Sequence, residues 1–184
     1  LHIGVDEGRV LNGYDGKVVY SREVQHPIQA AGDAKLFHLM VDHDVDYFST
    51  WCLTTAGLRG GLPVASANLR NLTFRMAGSA LVDSRRTGQP TDTANDVGGL
   101  AGYEPATKTL RVLVYNFNRK QDADGNEDVN LAITRARPSG ADGLALRCWL
   151  LDEDHGNWWK AWQEDVAARK MTPQAFKHSV WTLA

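Results

Sequence analysis

The chain has 184 residues, 43% of them hydrophobic and 23% charged, enough to bury the core of one domain or of two small ones. Twenty Lys and Arg against 22 Asp and Glu leave a net charge of −2, and no basic run is long enough to neutralise a row of phosphates, which argues against nucleic acid as a partner. The longest apolar stretches, Leu36 to Val41 and Leu110 to Val114, fall far short of the roughly 20 residues a membrane helix needs, so no membrane span is expected.

The chain opens on a strand-like run, His2-Ile3-Gly4-Val5, with no Met or leader before it, and reads as a piece of something longer. Asp6-Glu7-Gly8-Arg9 then passes into Asn12-Gly13 and Asp15-Gly16, residues that tolerate positive φ and mark a loop at a strand end. Pro27 suits a first helical turn because its missing N–H would have no partner there. Ile28, Ala31, Ala34 or Lys35, and His38 follow at helical spacing, which predicts a helix from about Pro27 to Val41. Val45, Tyr47, Phe48, Thr50 and Trp51 make a short β-branched and aromatic run, a buried strand that feeds a glycine-containing loop through Gly57, Gly60 and Gly61. After Pro63 a second helix is expected, with Leu69, Leu72, Phe74 or Arg75, and Met76 as its apolar stripe and Gly78 as its stop.

From Ser79 the pattern changes to short strands separated by turns. The candidates are Ser79 to Asp83, Gly98 to Tyr103, Leu110 to Phe117, Val129 to Arg135 and Leu144 to Leu151. Val129, Leu131 and Ile133 alternate with Asn130, Ala132 and Thr134, and Leu144, Leu146, Cys148 and Leu150 repeat the period of a half-buried strand. A polar loop covers Arg85 to Asp96, and Trp158, Trp159, Trp162 and Phe176 suggest short closing helices. The expected fold class is therefore α/β plus all-β. Residues 1–78 would supply β/α units of a parallel barrel, and residues 79–184 a β-sandwich with a short helical tail. Two β/α units cannot close a barrel that needs eight strands, so the remainder must come from the same or a second chain.

Asp6 and Glu7 fall at a strand end before a loop, where parallel barrels keep catalytic side chains; a solvated acidic pair is the alternative. Ile3 to Arg9, His26-Pro27, Asp46-Tyr47-Phe48-Ser49-Thr50-Trp51 and Gly61-Leu62-Pro63-Val64 resemble the last two β/α units of glycoside hydrolase family 39, in clan A. In that family a β-sandwich follows, and near its end comes an acidic residue, a His, a small residue, an Asn and an aromatic before a Trp. This chain has Asp152-Glu153-Asp154-His155-Gly156-Asn157-Trp158-Trp159-Lys160-Ala161-Trp162.

The resemblance implies the C-terminal units of a TIM (β/α)8 barrel followed by a β-sandwich, in a retaining glycosidase. Glu7 would be the nucleophile, forming a covalent glycosyl-enzyme, with a partner acid roughly 5–5.5 Å away. That acid belongs at the end of the fourth barrel strand, usually in an Asn-Glu pair, and is expected outside this sequence. The pair Asn126-Glu127 falls in a sandwich hairpin and is not taken as catalytic. Trp51 would lie under the sugar, its ring against a pyranose C–H face, with burial in the barrel core as the other reading. Asp6, His2 and Arg9 flank Glu7 and could orient it or hold its pKa down. Xylosidase-like relatives carry acidic residues in the loop after that Trp, whereas Leu53-Thr54-Thr55-Ala56-Gly57-Leu58-Arg59 has none, so xylose is not implied. Arg59 could meet an acidic sugar or stand solvated in its loop.

Asp122, Asp124 and Asn126 start like a calcium loop, but Glu127 replaces the required Gly and Ile133 the required Glu, so a hairpin turn explains them better. His155 has no second ligand at metal-binding spacing and reads as a structural hydrogen-bonding residue. Trp158, Trp159 and Trp162 suit packing of one helical face over glycan binding. No metal or organic cofactor is expected. Cys52 and Cys148 fit neither a metal knuckle nor a disulfide framework. The partner is a glycoside or oligosaccharide, with a homo-oligomer allowed. Sugar, anomer and compartment stay open, although secretion suits a glycan-degrading enzyme. The rival expectations are a noncatalytic glycan- or partner-binding fragment, and a subunit that completes its site with a second chain.

Overall fold

The computed structural model describes residues 2–8, 27–50, 65–118, 126–134, 143–157 and 168. The first strand, β1 (Gly4–Gly8), is followed by helix α1 (Pro27–Asp42) and strand β2 (Tyr47–Thr50), and β1 and β2 pair in parallel. A parallel pair requires a crossover, and α1 lies within it. Helix α1 starts at the proline that sequence places in its first turn. It ends in a Schellman turn: Val45 N–H reaches back to the Met40 carbonyl at 2.9 Å while Asp44, at φ 50°, takes the left-handed conformation. Asp46 then ties the two strand starts together. Its N–H donates to the Ile3 carbonyl at 2.8 Å, and its carboxylate accepts the Ile3 N–H at 2.6 Å and lies 3.4 Å from the His2 imidazole.

Helix α2 (Ala65–Phe74) runs into a turn with i→i−3 bonds, such as Met76 N–H to Thr73 carbonyl at 2.9 Å and Ser79 N–H to Met76 carbonyl at 3.1 Å, in which Gly78 takes φ 78°. Its buried face is Ala65, Ser66 and Leu69. The expected stripe fails at Phe74, which is 80% exposed, because five residues on from Leu69 it falls well round the helix from the buried face.

Strands β3 (Ala80–Val82), β4 (Asn95–Glu104) and β5 (Thr109–Asn118) form an antiparallel sheet in the order β3-β4-β5. The β4–β5 hairpin holds register from Asn95 opposite Asn118 to Glu104 opposite Thr109. Its turn is closed by a Lys108 N–H bond to the Pro105 carbonyl, with Lys108 at φ 53°. Both strands are longer than the apolar runs Gly98 to Tyr103 and Leu110 to Phe117, since ladder bonds do not require apolar side chains.

Leu113, Tyr115 and Phe117 alternate on one face of β5 and pack on α1 and α2, sharing one core with Ala30, Ala34, Ala65 and Leu69. Small residues on the helices let backbones approach, and Leu69, Tyr115 and Phe117 each contribute about 1.5–3 kcal/mol by burial. The core thus crosses the position 78/79 at which the sequence changes character. One ion pair spans the same seam, Lys35 of α1 with Asp96 of β4, and on the sheet side Arg86 lies 3.7 Å from Asp96. Lys35 also stands 5.6 Å over the Phe117 ring.

Two sequence expectations are corrected. Val129 to Thr134 and Leu144 to Leu151 alternate like strands, yet these described residues carry no ladder. Val129, Leu131, Ile133, Leu144, Leu146 and Leu150 are all exposed. Alternation records which face a strand would bury, but a ladder also needs a neighbouring edge. Arg135 lies outside the described residues, as do Trp158, Trp159, Trp162 and Phe176. Among the described residues no helix is long and apolar enough to cross a membrane.

Candidate functional site

Because β1 and β2 are parallel, their C-terminal ends meet at one edge, where Gly8 stands opposite Thr50. Between the pairs Val5–Phe48 and Gly8–Thr50, β1 advances three residues while β2 advances two, so the register shifts across Asp6 and Glu7. One extra residue in a strand bends its backbone locally, a device that recurs next to functional sites. Glu7 and Asp6 therefore occupy an irregular strand end on the same edge that delivers the chain to Trp51. Trp51, Arg9 and Arg59, expected at the substrate, lie outside the described residues, as does the whole loop from Leu53 to Arg59.

His2 belongs elsewhere. It sits at the opposite end of β1, about 16 Å of extended chain from Glu7 at the usual strand rise, and its imidazole faces Asp46. The expectation that His2 flanks Glu7 is corrected by the strand itself, which separates residues five apart along its axis.

The Asn126-Glu127 pair is built for a different task. Glu127 accepts hydrogen bonds from the Thr91 N–H at 3.0 Å, the Thr91 hydroxyl at 2.7 Å, the Asp92 N–H at 3.1 Å and the Asn95 amide at 2.6 Å. The Asn95 amide and the Thr91 donors hold its carboxyl down to about 2. A general acid needs the opposite bias, a carboxyl kept protonated near neutral pH, so this arrangement suits a structural anion. Asn126 alone of the calcium-like run falls among the described residues.

The sequence run beginning at Asp152 forms a tight turn. One Asp152 carboxylate oxygen accepts from the Asp154 N–H at 2.9 Å, the His155 N–H at 2.7 Å and His155 Nδ1 at 2.8 Å. Burial opposes ionisation of Asp152, but the donors from His155 and Asp154 outweigh it and lower its pKa. The turn docks on α2, where Asn68 donates to the Gly156 carbonyl at 2.9 Å and Leu151 reaches the core. His155 is thus a turn-forming residue in this geometry.

No family model, curated protein or solved structure matches the chain. Its chemistry has to be argued from the residues.

Sequence reasoning passed over the polar seam between α1 and the sheet. His38 Nδ1 lies 3.0 Å from the Tyr115 hydroxyl and its Nε2 lies 3.3 Å from Asp42, one helical turn away. Burial pushes the Tyr115 phenol up to about 12, with the Asp96 and Asp42 charges adding to it. The i,i+4 spacing of His38 and Asp42 is visible in the sequence; the pairing with Tyr115, 77 residues away, is not. Beside this seam, Phe37, Met40, Phe48, Leu69, Phe74 and Leu81 line an open apolar groove of about 480 Å³.

Proposed function

We propose that the chain is the C-terminal part of a retaining glycoside hydrolase that cleaves O-glycosidic bonds through a covalent glycosyl-enzyme on Glu7. The observation that carries this reading is the register shift across Asp6 and Glu7, at the edge where two parallel strands end together. In parallel α/β folds that edge is where catalytic side chains gather. A carboxylate there is ionised at neutral pH and can attack an anomeric carbon, while a second carboxyl protonates the departing oxygen and later activates water. Glu127, locked as an anion, does not supply that proton, so the acid is sought beyond the described residues. Asp6 and Arg9 would orient Glu7, and Trp51 and Arg59 would hold the sugar. No cofactor enters these steps.

The test is covalent trapping. The natively purified protein is incubated with a panel of 2-deoxy-2-fluoro glycosides, followed by intact mass and peptide mapping. An adduct on the peptide containing Glu7, absent in Glu7→Gln, is the expected result; an adduct on another carboxylate, or hydrolysis that survives Glu7→Gln, removes Glu7 from the mechanism.

A second reading has its own observation. Ile3, just before β1, and Tyr47, the first residue of β2, are half exposed, whereas parallel sheets are ordinarily covered on both faces. This favours a chain whose sheet is completed by further strands, in the same or a second polypeptide. Intact mass of the native material separates these cases from a noncatalytic binding fragment.

A further inference from the structure

Residues 126–134 lie along the fold with every residue exposed except Glu127, and they form no ladder. Among the described residues, the hydrogen bonds joining this segment to the rest of the protein all end on the Glu127 carboxylate. Its partners are grouped at the open end of the β4–β5 hairpin. Thr91 and Asp92 belong to the turn leading into β4, which is closed by the Asn95 N–H bond to the Asp92 carbonyl at 2.9 Å and by Asp92 accepting the Ala94 N–H at 2.8 Å. Asn95 is buried, donates its amide to Glu127, and accepts the Asn118 amide across the last pair of the ladder.

We propose that Glu127 is a latch: its carboxylate fastens the 126–134 strap onto the end of the β4–β5 hairpin, and the strap can lift away while the sheet stays folded. The chemistry of the four donors requires a group that only accepts. One carboxylate oxygen takes the Thr91 N–H and hydroxyl, and the other takes the Asp92 N–H and the Asn95 amide. A neutral amide in the same place has one acceptor oxygen, so it must turn an N–H toward one of these donor pairs. Val129, Leu131 and Ile133 are only about half covered, so the strap is not anchored by a fully buried apolar side chain. The β4–β5 ladder, in contrast, keeps its ten paired positions whether or not the strap is docked.

Native-state hydrogen exchange tests this on the whole chain with Glu127→Gln. The Thr91 and Asp92 amides should exchange roughly tenfold faster or more, since they lose a charged acceptor, and limited proteolysis within 126–134 should accelerate. Ladder amides of β4 and β5 should keep their protection. Unchanged exchange at Thr91 and Asp92 would overturn the proposal, and so would loss of protection along the ladder, which would make the strap an integral part of the sheet. Thr91→Val removes a single hydroxyl donor and is the milder check; it should raise exchange at Asp92 by a smaller factor with the ladder intact.

Discussion

Two glycines show how narrowly the β4–β5 sheet is built. Gly98 stands opposite Tyr115, and a Cβ there would overlap the phenol ring, whereas a Cβ on Gly99 would come within 2.8 Å of the Leu113 backbone carbonyl. The Tyr115 hydroxyl is held by His38 and the Leu113 carbonyl belongs to the backbone, so neither obstacle yields freely. Gly98→Ala and Gly99→Ala should each destabilise the protein by about 1–3 kcal/mol in urea unfolding. The two differ in their remedy. Replacing Tyr115 by Leu removes the ring atoms that crowd Gly98, so the Gly98→Ala penalty should shrink in that background, while the Gly99→Ala penalty should not. Equal penalties in both backgrounds would mean that the ring does not limit position 98.

At the scale of elements, the hairpin turn carries a local strain that can be relieved. Lys108 occupies the left-handed region at φ 53°, where an L side chain costs about 1–2 kcal/mol, and glycine adopts it freely. Lys108→Gly should therefore raise stability by about 0.5–1 kcal/mol after the greater flexibility of unfolded glycine is subtracted; a lower urea midpoint would show that the Lys108 side chain contributes more than its backbone costs. This turn also marks what sequence could convey. Pro27, the helical spacing after it, Gly78, and the apolar runs of β4 and β5 each encode a local preference, and each appears near its expected place. The fate of Val129 to Thr134 and Leu144 to Leu151 depends on neighbouring edges, which alternation does not specify. Phe74 is exposed because, five residues on from Leu69, it lies off the buried face of its helix. The candidate site was legible as a strand end carrying Asp6 and Glu7, but the register shift across them arises from pairing with β2. His2 could not be placed correctly without the strand axis, and the donors of Glu127, some 30 residues earlier, leave no mark in local sequence.

For the whole molecule, charge links the two portions of the chain and sets limits on the pH range in which they hold together. Glu127 has a folded pKa near 2 against an ordinary 4.5, so its contribution is complete above the ordinary value and is lost as pH falls toward 2. Glu104, kept low by the Thr107 hydroxyl and the Arg111 guanidinium, acts in the same direction. Tyr115 works at the other end. Its phenol is pushed from 10.0 to about 12, so between those values the unfolded chain has released a proton that the folded one retains, and stability must fall as pH rises through that window. Below about 10 the Tyr115 contribution is intact. Urea midpoints measured from pH 2 to 12 should therefore show a plateau with an acid and an alkaline limb. Subtracting the Tyr115→Phe profile isolates the phenol, and the difference should be flat below pH 10 and decline above it. Because Tyr115 joins β5 to His38 on α1, that decline would report the seam between the β/α portion and the antiparallel sheet. A difference flat to pH 12 would mean that the phenol titrates alike in both states and does not set the alkaline limb.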